Sequence, residues 1–223
     1  GKGRHKMSYP HHSDSFDKPE LAGIWEFNHV PHKEMWSLTD RPGFFRIYAQ
    51  HARGFYWARN SLTQKVTGPY STGTVSLDLS GLQEGDFAGN GIMGRIMYQF
   101  GVKKKNNSFW LEMRQAYRDE GEEVVDSLEL KALSKIYLRT TKEVATRFHY
   151  SLDGREYHRF GPEGVSNFWG FLGIRHALCC YNVVKGSPCG YADFDFFELE
   201  SAHRGNHYDA LTEIDFSRYD DRE

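Results

Sequence analysis

The segment Trp25-Glu26-Phe27-Asn28-His29-Val30-Pro31-His32, followed by Trp36, sets flat aromatic faces among short polar groups in a stretch that Asn28 and Pro31 make loop-like. Sugar rings present C–H faces that stack on Trp and Phe, and hydroxyls that need planar donors and acceptors such as Asn, His, Glu and Arg. This segment has the chemistry of a glycan site. The competing reading is that Trp25, Phe27 and Trp36 are core, because aromatics bury large areas in any packed fold. Arg59-Asn60, closing Phe55-Tyr56-Trp57-Ala58, is a second polar pair beside aromatics, and it reads either as ligand contacts or as a hydrogen-bonded strand end. Arg175 stands inside the apolar segment Phe168–Cys180, so it must be paired or face a cleft, since a lone buried charge is costly. The expected binding set is therefore Trp25, Phe27, Asn28, His29, Trp36, Arg59, Asn60 and Arg175.

Catalytic signatures are thin. Hydrolysis of a glycosidic bond needs two carboxylates flanking it. Glu198 and Glu200 share a strand face, but Phe197 and Leu199 mark an ordinary last strand. Glu213-Ile214-Asp215-Phe216 resembles the start of the E-I-D-F-x-E strand motif of jelly-roll glucanases, yet Arg218 stands where the second glutamate belongs. No nucleophile elbow or phosphate-cradling glycine loop is present, and Gly89-Asn90-Gly91 reads as a bend or bulge. His29 and His32 have an H-x-x-H spacing, but zinc needs three or four convergent ligands. Asp14, Asp17, Asp193 and Asp195 are hard oxygen donors near the two ends of the folded unit, where the outer strands of a sandwich often pair. Calcium is the ion they suit, with Asp14 and Asp195 as candidate ligands, and solvated acids at strand ends are the alternative. No cofactor is required.

The elements that must position these residues are strands. Runs rich in Val, Ile, Phe, Tyr and Thr recur between Gly, Asn and Asp, as in many-stranded sandwiches. The pattern predicts strands at Gly43–Ala49, Phe55–Asn60, Gly73–Leu79, Phe87–Met93, Ile96–Lys103, Ser108–Gln115, Val124–Glu129, Lys135–Thr141, Ala145–Leu152, Phe168–Tyr181 and Tyr191–Glu200, mostly antiparallel. Asn106-Asn107 and Asp153-Gly154 supply turn chemistry for two hairpins, and Lys103-Lys104-Lys105 reads as a solvated hairpin tip. Residues 1–12 read as a linker, 13–200 as the sandwich and 201–223 as a tail or packed arm. The 223 residues, 39% hydrophobic, 15% aromatic and 26% charged, can bury a sizeable core and exclude collagenous, low-complexity and disordered chains. With 28 basic against 30 acidic residues, the chain has no global field for nucleic acid or anionic membrane, so neither is expected as a partner. No apolar run approaches the ~20 residues that span a bilayer. The sequence holds no secretory signal, and its start at Gly1 suggests a piece of a longer parent, which leaves its location unknown. Cys179 and Cys180, being adjacent, point to opposite strand faces and read as free buried thiols, although Cys189 could meet Cys180 across a hairpin.

Several strings are familiar together. Ser13-Asp14-Ser15-Phe16, Leu21 to Pro31 (LAGIWEFNHVP) and Trp36 to Ile47 (WSLTDRPGFFRI) resemble the opening of the C-terminal domain of family 43 glycoside hydrolases, the β-xylosidase and arabinofuranosidase group. Ala58 to Gln64 (ARNSLTQ), Gly85 to Gly89 (GDFAG), Tyr150 to Gly154 (YSLDG) and Ala192 to Phe197 (ADFDFF) stand in the family's order. The resemblance covers about residues 13 to 200 and implies an all-β fold, an antiparallel two-sheet β-sandwich of the concanavalin A-like jelly-roll type. Such a domain normally follows a five-bladed catalytic propeller, packs on it, and can bring an aromatic loop to the active-site rim; by motif position that loop is Trp25 to His32. The family's usual tryptophan and asparagine there are Phe27 and Val30 here. The resemblance implies a non-catalytic carbohydrate-binding or accessory domain whose partners are xylan or arabinoxylan-type glycans and a family 43 catalytic domain. Alternatively, the domain docks on that propeller and completes its pocket without glycan affinity of its own.

Overall fold

Within Ile96–Lys105, Tyr98, Phe100 and Val102 point into one buried cluster while Met97 joins another, so a single strand feeds apolar groups to both of its faces. That alternation organises the molecule. The computed structural model describes residues 12–68, 70–117, 120–131, 133–165 and 173–201. Among them, the strands are β1 (Glu26–Phe27), β2 (Trp36–Ser37), β3 (Phe45–Tyr48), β4 (Gln50–His51), β5 (Leu62–Lys65), β6 (Ser71–Asp78), β7 (Asp86–Met93), β8 (Ile96–Lys105), β9 (Ser108–Tyr117), β10 (Glu123–Leu130), β11 (Lys135–Lys142), β12 (Ala145–Ser151), β13 (His158–Val165), β14 (Arg175–Asn182) and β15 (Tyr191–Ser201). One sheet runs β1-β5-β14-β7-β8-β9-β10 with β4 attached to β14, and the other runs β13-β12-β11-β6-β15-β3-β2. All pairings are antiparallel except the short β4–β14 contact. No helix among the described residues is long and apolar enough to cross a membrane.

The main core lies between the sheets and includes Phe45, Ile47, Val75, Leu77, Phe100, Leu138, Phe148, Leu178, Phe194 and Phe197. Inside it, His176 is fully buried, with Ser71 Oγ 3.0 Å from Nε2 and Thr140 Oγ1 3.1 Å from Nδ1. Burial alone holds this imidazole neutral, with its pKa pushed down to about 3. Asp14 is tied to strand β15, exchanging two backbone hydrogen bonds of 2.8 Å with Phe197.

Asn106 and Asn107 adopt φ of 53° and 61°, the left-handed pair that a two-residue hairpin needs. Asp153 receives the N–H groups of Arg155 and Glu156 at 2.8 and 3.0 Å, which pulls its pKa down to about 2. Cys179 and Cys180 fall in the two opposite clusters, and all three cysteines are free, Cys180 and Cys189 included. The strand expected at Phe55–Asn60 is instead a 3₁₀ turn at Phe55–Trp57 followed by a loop, because this segment crosses a sheet face and does not join an edge. Leu62–Lys65 and His158–Val165 are strands beyond those expected. The second carries Pro162 and forms the edge of its sheet, where a missing N–H is tolerated. Strand β14 starts at Arg175, with Gly173 and Ile174 before it outside any strand; residues 168–172 of the expected Phe168–Tyr181 strand, the linker before His12 and the tail with Glu213-Ile214-Asp215-Phe216 lie outside the described residues.

Candidate functional site

The outer face of the eight-stranded sheet is covered by the chain's own loop. Phe55 and Ala58 drop onto Phe87, Met93, Met97, Ala177, Cys179 and Tyr181 as a second buried cluster. Gly91 makes room for this: a Cβ there would sit 3.2 Å from Phe55 Cζ and 2.5 Å from the Tyr98 carbonyl. Glu122 latches the loop down. Its carboxylate accepts the Phe55 N–H and, at 2.9 Å, the Tyr181 hydroxyl, and it pairs with Arg114 at 3.2 Å. Arg114 in turn holds Glu112 at 2.7 Å through Nε, so the carboxylates buried here are hydrogen-bonded as burial demands. Burial, and then the charge of Glu122, push the Tyr181 phenol well above its ordinary pKa, so it stays a donor.

A second loop, Asn28 to His32, is stitched to the first. Asn60, at φ 62°, behaves like a strand partner: its Oδ1 accepts from His32 N at 2.8 Å and its Nδ2 donates to His32 O at 2.9 Å. Arg59 donates to Val30 O at 3.1 Å, Asn28 N–H to Ser61 O at 3.0 Å, and His29 Nε2 to Tyr56 O at 2.6 Å. His29 lies parallel to Trp57 with ring centroids 6.4 Å apart, Tyr56 meets Trp57 edge-on at 4.9 Å, and Arg53 sits 4.6 Å over the Trp57 ring. What faces water is the tip, with Val30 80% and Trp57 38% exposed. Beside it opens a hollow of about 200 Å³ lined by Arg53 to Trp57, Ala116 and Glu120 to Glu122.

The structure thus brings Asn28, His29, Arg59 and Asn60 together. It sends the aromatics elsewhere. Trp25 is only 8% exposed, stacked on Phe16 at 5.9 Å and edge-on to Phe197 at 5.1 Å, with its indole N–H bound to Asp14 Oδ2 at 2.8 Å. It is an anchor and offers no face to a sugar. Phe27 is half-buried against Trp36 at 5.3 Å, and Trp36 leans on Phe45 at 6.0 Å. Arg175 pairs with Glu26 at 2.7 Å and bonds Thr63 at 3.2 Å, away from the residues that line the hollow. The calcium expectation finds no donor set: Asp14 accepts from Phe16 N–H and Trp25, Asp193 is held by Arg46 at 2.7 Å and Arg41 at 3.1 Å, and no group of three metal-ligating side chains, Asp195 included, exists among the described residues. Trp57, Arg53 and Glu122 were missed as site residues. A glycine flanked by Arg53 and Phe55-Tyr56-Trp57 was the available signal, hidden by its likeness to a strand.

Two stacked, almost wholly antiparallel sheets of eight and seven strands define a concanavalin A-like sandwich. Residues 13–200 match the family of β-xylosidase C-terminal concanavalin A-like domains, and the chain belongs to that family. It is the C-terminal sandwich and not the catalytic domain. It is similar to a β-xylosidase of Formosa agariphila, 28% identical over 222 residues that cover 87% of this chain and 36% of that protein. Among solved structures, it resembles a bifunctional GH43-CE protein of Bacteroides eggerthii with TM-score 0.78 and 34% identity, over 84% of this chain and 25% of that one. The GH43 protein BlXynB of Bacillus licheniformis shares the fold with TM-score 0.74 at 21% identity, over 84% of this chain and 39% of that one. The chain therefore spans about a third of the length of the β-xylosidase it matches.

Proposed function

We propose that this domain docks on the catalytic domain of its parent family 43 hydrolase and places the Asn28–His32 loop at the rim of that domain's substrate cleft. The observation that carries the reading is the state of the tip. Val30 is 80% exposed while the backbone on either side of it is fixed by Asn28, His32, Arg59 and Asn60. An exposed apolar group on a pre-ordered loop loses little entropy when it is covered, which is what an interface anchor requires. A sugar platform requires open ring faces, and Trp25 and Phe27 do not offer them.

A second reading draws on the hollow beside Trp57, where Arg53, Glu120 and part of an indole could hold a xylose unit of a xylan or arabinoxylan chain. Affinity there would be roughly micromolar to millimolar, since desolvation cancels much of the gain. Two measurements separate the readings. In the full-length parent enzyme, Val30→Asp should lower kcat/KM on xylo-oligosaccharides and expose the domain junction to protease; unchanged kinetics and an unchanged digest would sink the docking reading. Titration of this chain alone with xylo-oligosaccharides should give no saturable heat under docking. Saturable heat that Trp57→Ala removes would put the binding reading in its place.

A further inference from the structure

The outer face of the seven-stranded sheet carries a row of cations. Register sets Arg139 of β11 opposite His149 of β12, and His149 opposite Arg159 of β13, all on one face; Arg147 lies two residues from His149 on that face. Like charges directly opposed destabilise a sheet. The fold answers part of this cost: Glu163 binds Arg147 at 2.9 Å and Arg159 at 3.2 Å, and Glu143 binds Arg147 at 2.7 Å.

Arg139 is left without a carboxylate in ion-pairing reach among the described residues. Its Nε donates to the buried Thr74 hydroxyl at 3.1 Å and the Tyr157 ring covers it at 3.6 Å. That fixes the guanidinium plane, with the Tyr157 hydroxyl as a further polar neighbour within its reach. On the far side of the row, Thr74 separates Arg139 from Glu198, two strands or about 10 Å away. Burial first, then Arg139, Arg159 and Arg147, hold the His149 pKa below its ordinary value, and its Nδ1 is buried with no hydrogen-bond partner.

We propose that this row binds a carboxylate-bearing sugar, a uronic acid unit carried on a hemicellulose chain. A planar guanidinium held by its Nε and one ring face presents a two-pronged donor that fits a carboxylate. Arg159, half its side chain in water, adds a second cation, while the neutral His149 keeps the excess charge small enough for a single negative group. The half-buried Tyr157 supplies apolar surface for the sugar ring. The site lies on the opposite sheet from the docking loops, so it stands or falls independently of them.

The test titrates this chain with a xylo-oligosaccharide bearing one glucuronic acid branch, with the unbranched oligosaccharide of equal length, and with free glucuronate, each at low and high salt. The branched sugar should bind at least about tenfold more tightly than the unbranched one, weaken with salt, and lose its advantage in Arg139→Gln. Arg159→Gln, a substitution at an exposed position that leaves the fold intact, should cost a few-fold. Equal binding of the branched and unbranched sugars, no binding of either, or an advantage that survives both substitutions would overturn the proposal. Free glucuronate binding as tightly as the branched oligosaccharide would reduce the row to a simple anion site and overturn the glycan assignment.

Discussion

Lowering the pH from 8 to 5 should destabilise this domain through His176, and the size of the loss follows from the packing. The ring is fully buried between the sheets, with only hydroxyls on its nitrogens and the Phe197 ring edge-on at 5.8 Å. Its pKa is about 3 in the fold against 6.5 in the unfolded chain. Above pH 6.5 both states are neutral and the ring has no effect on the pH dependence. Between 6.5 and 3 the unfolded chain takes up a proton that the folded one refuses, so stability falls as pH falls, and below 3 the loss is complete. Each pH unit in that window is worth about 1.4 kcal/mol, which makes the loss at pH 5 about 2 kcal/mol. Ordinary carboxylates titrate near 4, below most of this window. His149, also held low, adds a loss of the same sign, so His149→Asn serves as the background. In urea denaturation the midpoint should drop by about 1 M between pH 8 and pH 5. His176→Gln should be less stable at pH 8 yet show a clearly flatter profile. Parallel profiles for the two proteins, or the native His176 imidazole seen by NMR to titrate near 6.5, would refute the reasoning.

Asn60→Ala should cost about 2 to 3 kcal/mol, by unpairing both backbone groups of His32 and by losing asparagine's tolerance of φ 62°, and should speed proteolysis between Asn28 and Lys33; Asn60→Gly, which tolerates the angle, should recover part of the stability but none of the protection. Phe55→Ala should cost about 3 to 5 kcal/mol as a fully buried aromatic, and Gly91→Ala about 1 to 3 kcal/mol, chiefly by setting a Cβ 2.5 Å from the Tyr98 carbonyl and then by crowding Phe55, both read by thermal melts. Of the three thiols, Cys189 should react with iodoacetamide in the native state, slowly because burial and Asp86 raise its pKa, while Cys179 and Cys180 should react only after unfolding; native modification of either would contradict the packing.

Most of the sandwich was legible because its strands alternate cleanly. In β8, Tyr98, Phe100 and Val102 alternate toward the main core, and the Asn106-Asn107 turn names its own geometry. Strand β5 was not legible, since Thr63 and Gln64 are buried by hydrogen bonds to Glu26 O at 2.8 Å and His12 O at 2.9 Å, and polar letters hide a buried strand. Phe55-Tyr56-Trp57-Ala58 failed for the converse reason: a short apolar run looks the same whether it pairs along a sheet or lies across one. Of the candidate site, the polar set Asn28, His29, Arg59 and Asn60 was readable. The role of Trp25 was not, because Asp14, Phe16 and Phe197 decide it, and Phe197 is remote in the chain. The row Arg139, His149 and Arg159 depends on register across three strands, which no local pattern carries.

The occupied sheet face bears on how such a domain could meet a polysaccharide at all. A xylan chain laid along the outer face of the eight-stranded sheet would have to expel Phe55 and unlatch Glu122 from Tyr181 and Arg114. Exposing that aromatic alone costs about 1.5 to 3 kcal/mol, a sizeable share of what a millimolar to micromolar sugar contact returns. Any sugar contact proposed for this side would therefore be confined to the margin of the loop pair, where the described residues wall the hollow from Arg53 to Trp57 and from Glu120 to Glu122 and leave it open beyond them. A catalytic domain seated against Val30 would supply that side. Under this arrangement the loop's effect belongs to the assembled enzyme, so substitutions at Val30 and Arg59 should alter turnover of the parent while leaving the melting temperature of this chain nearly unchanged. A matching fall in both would mean that the loop pair serves only the domain's own stability.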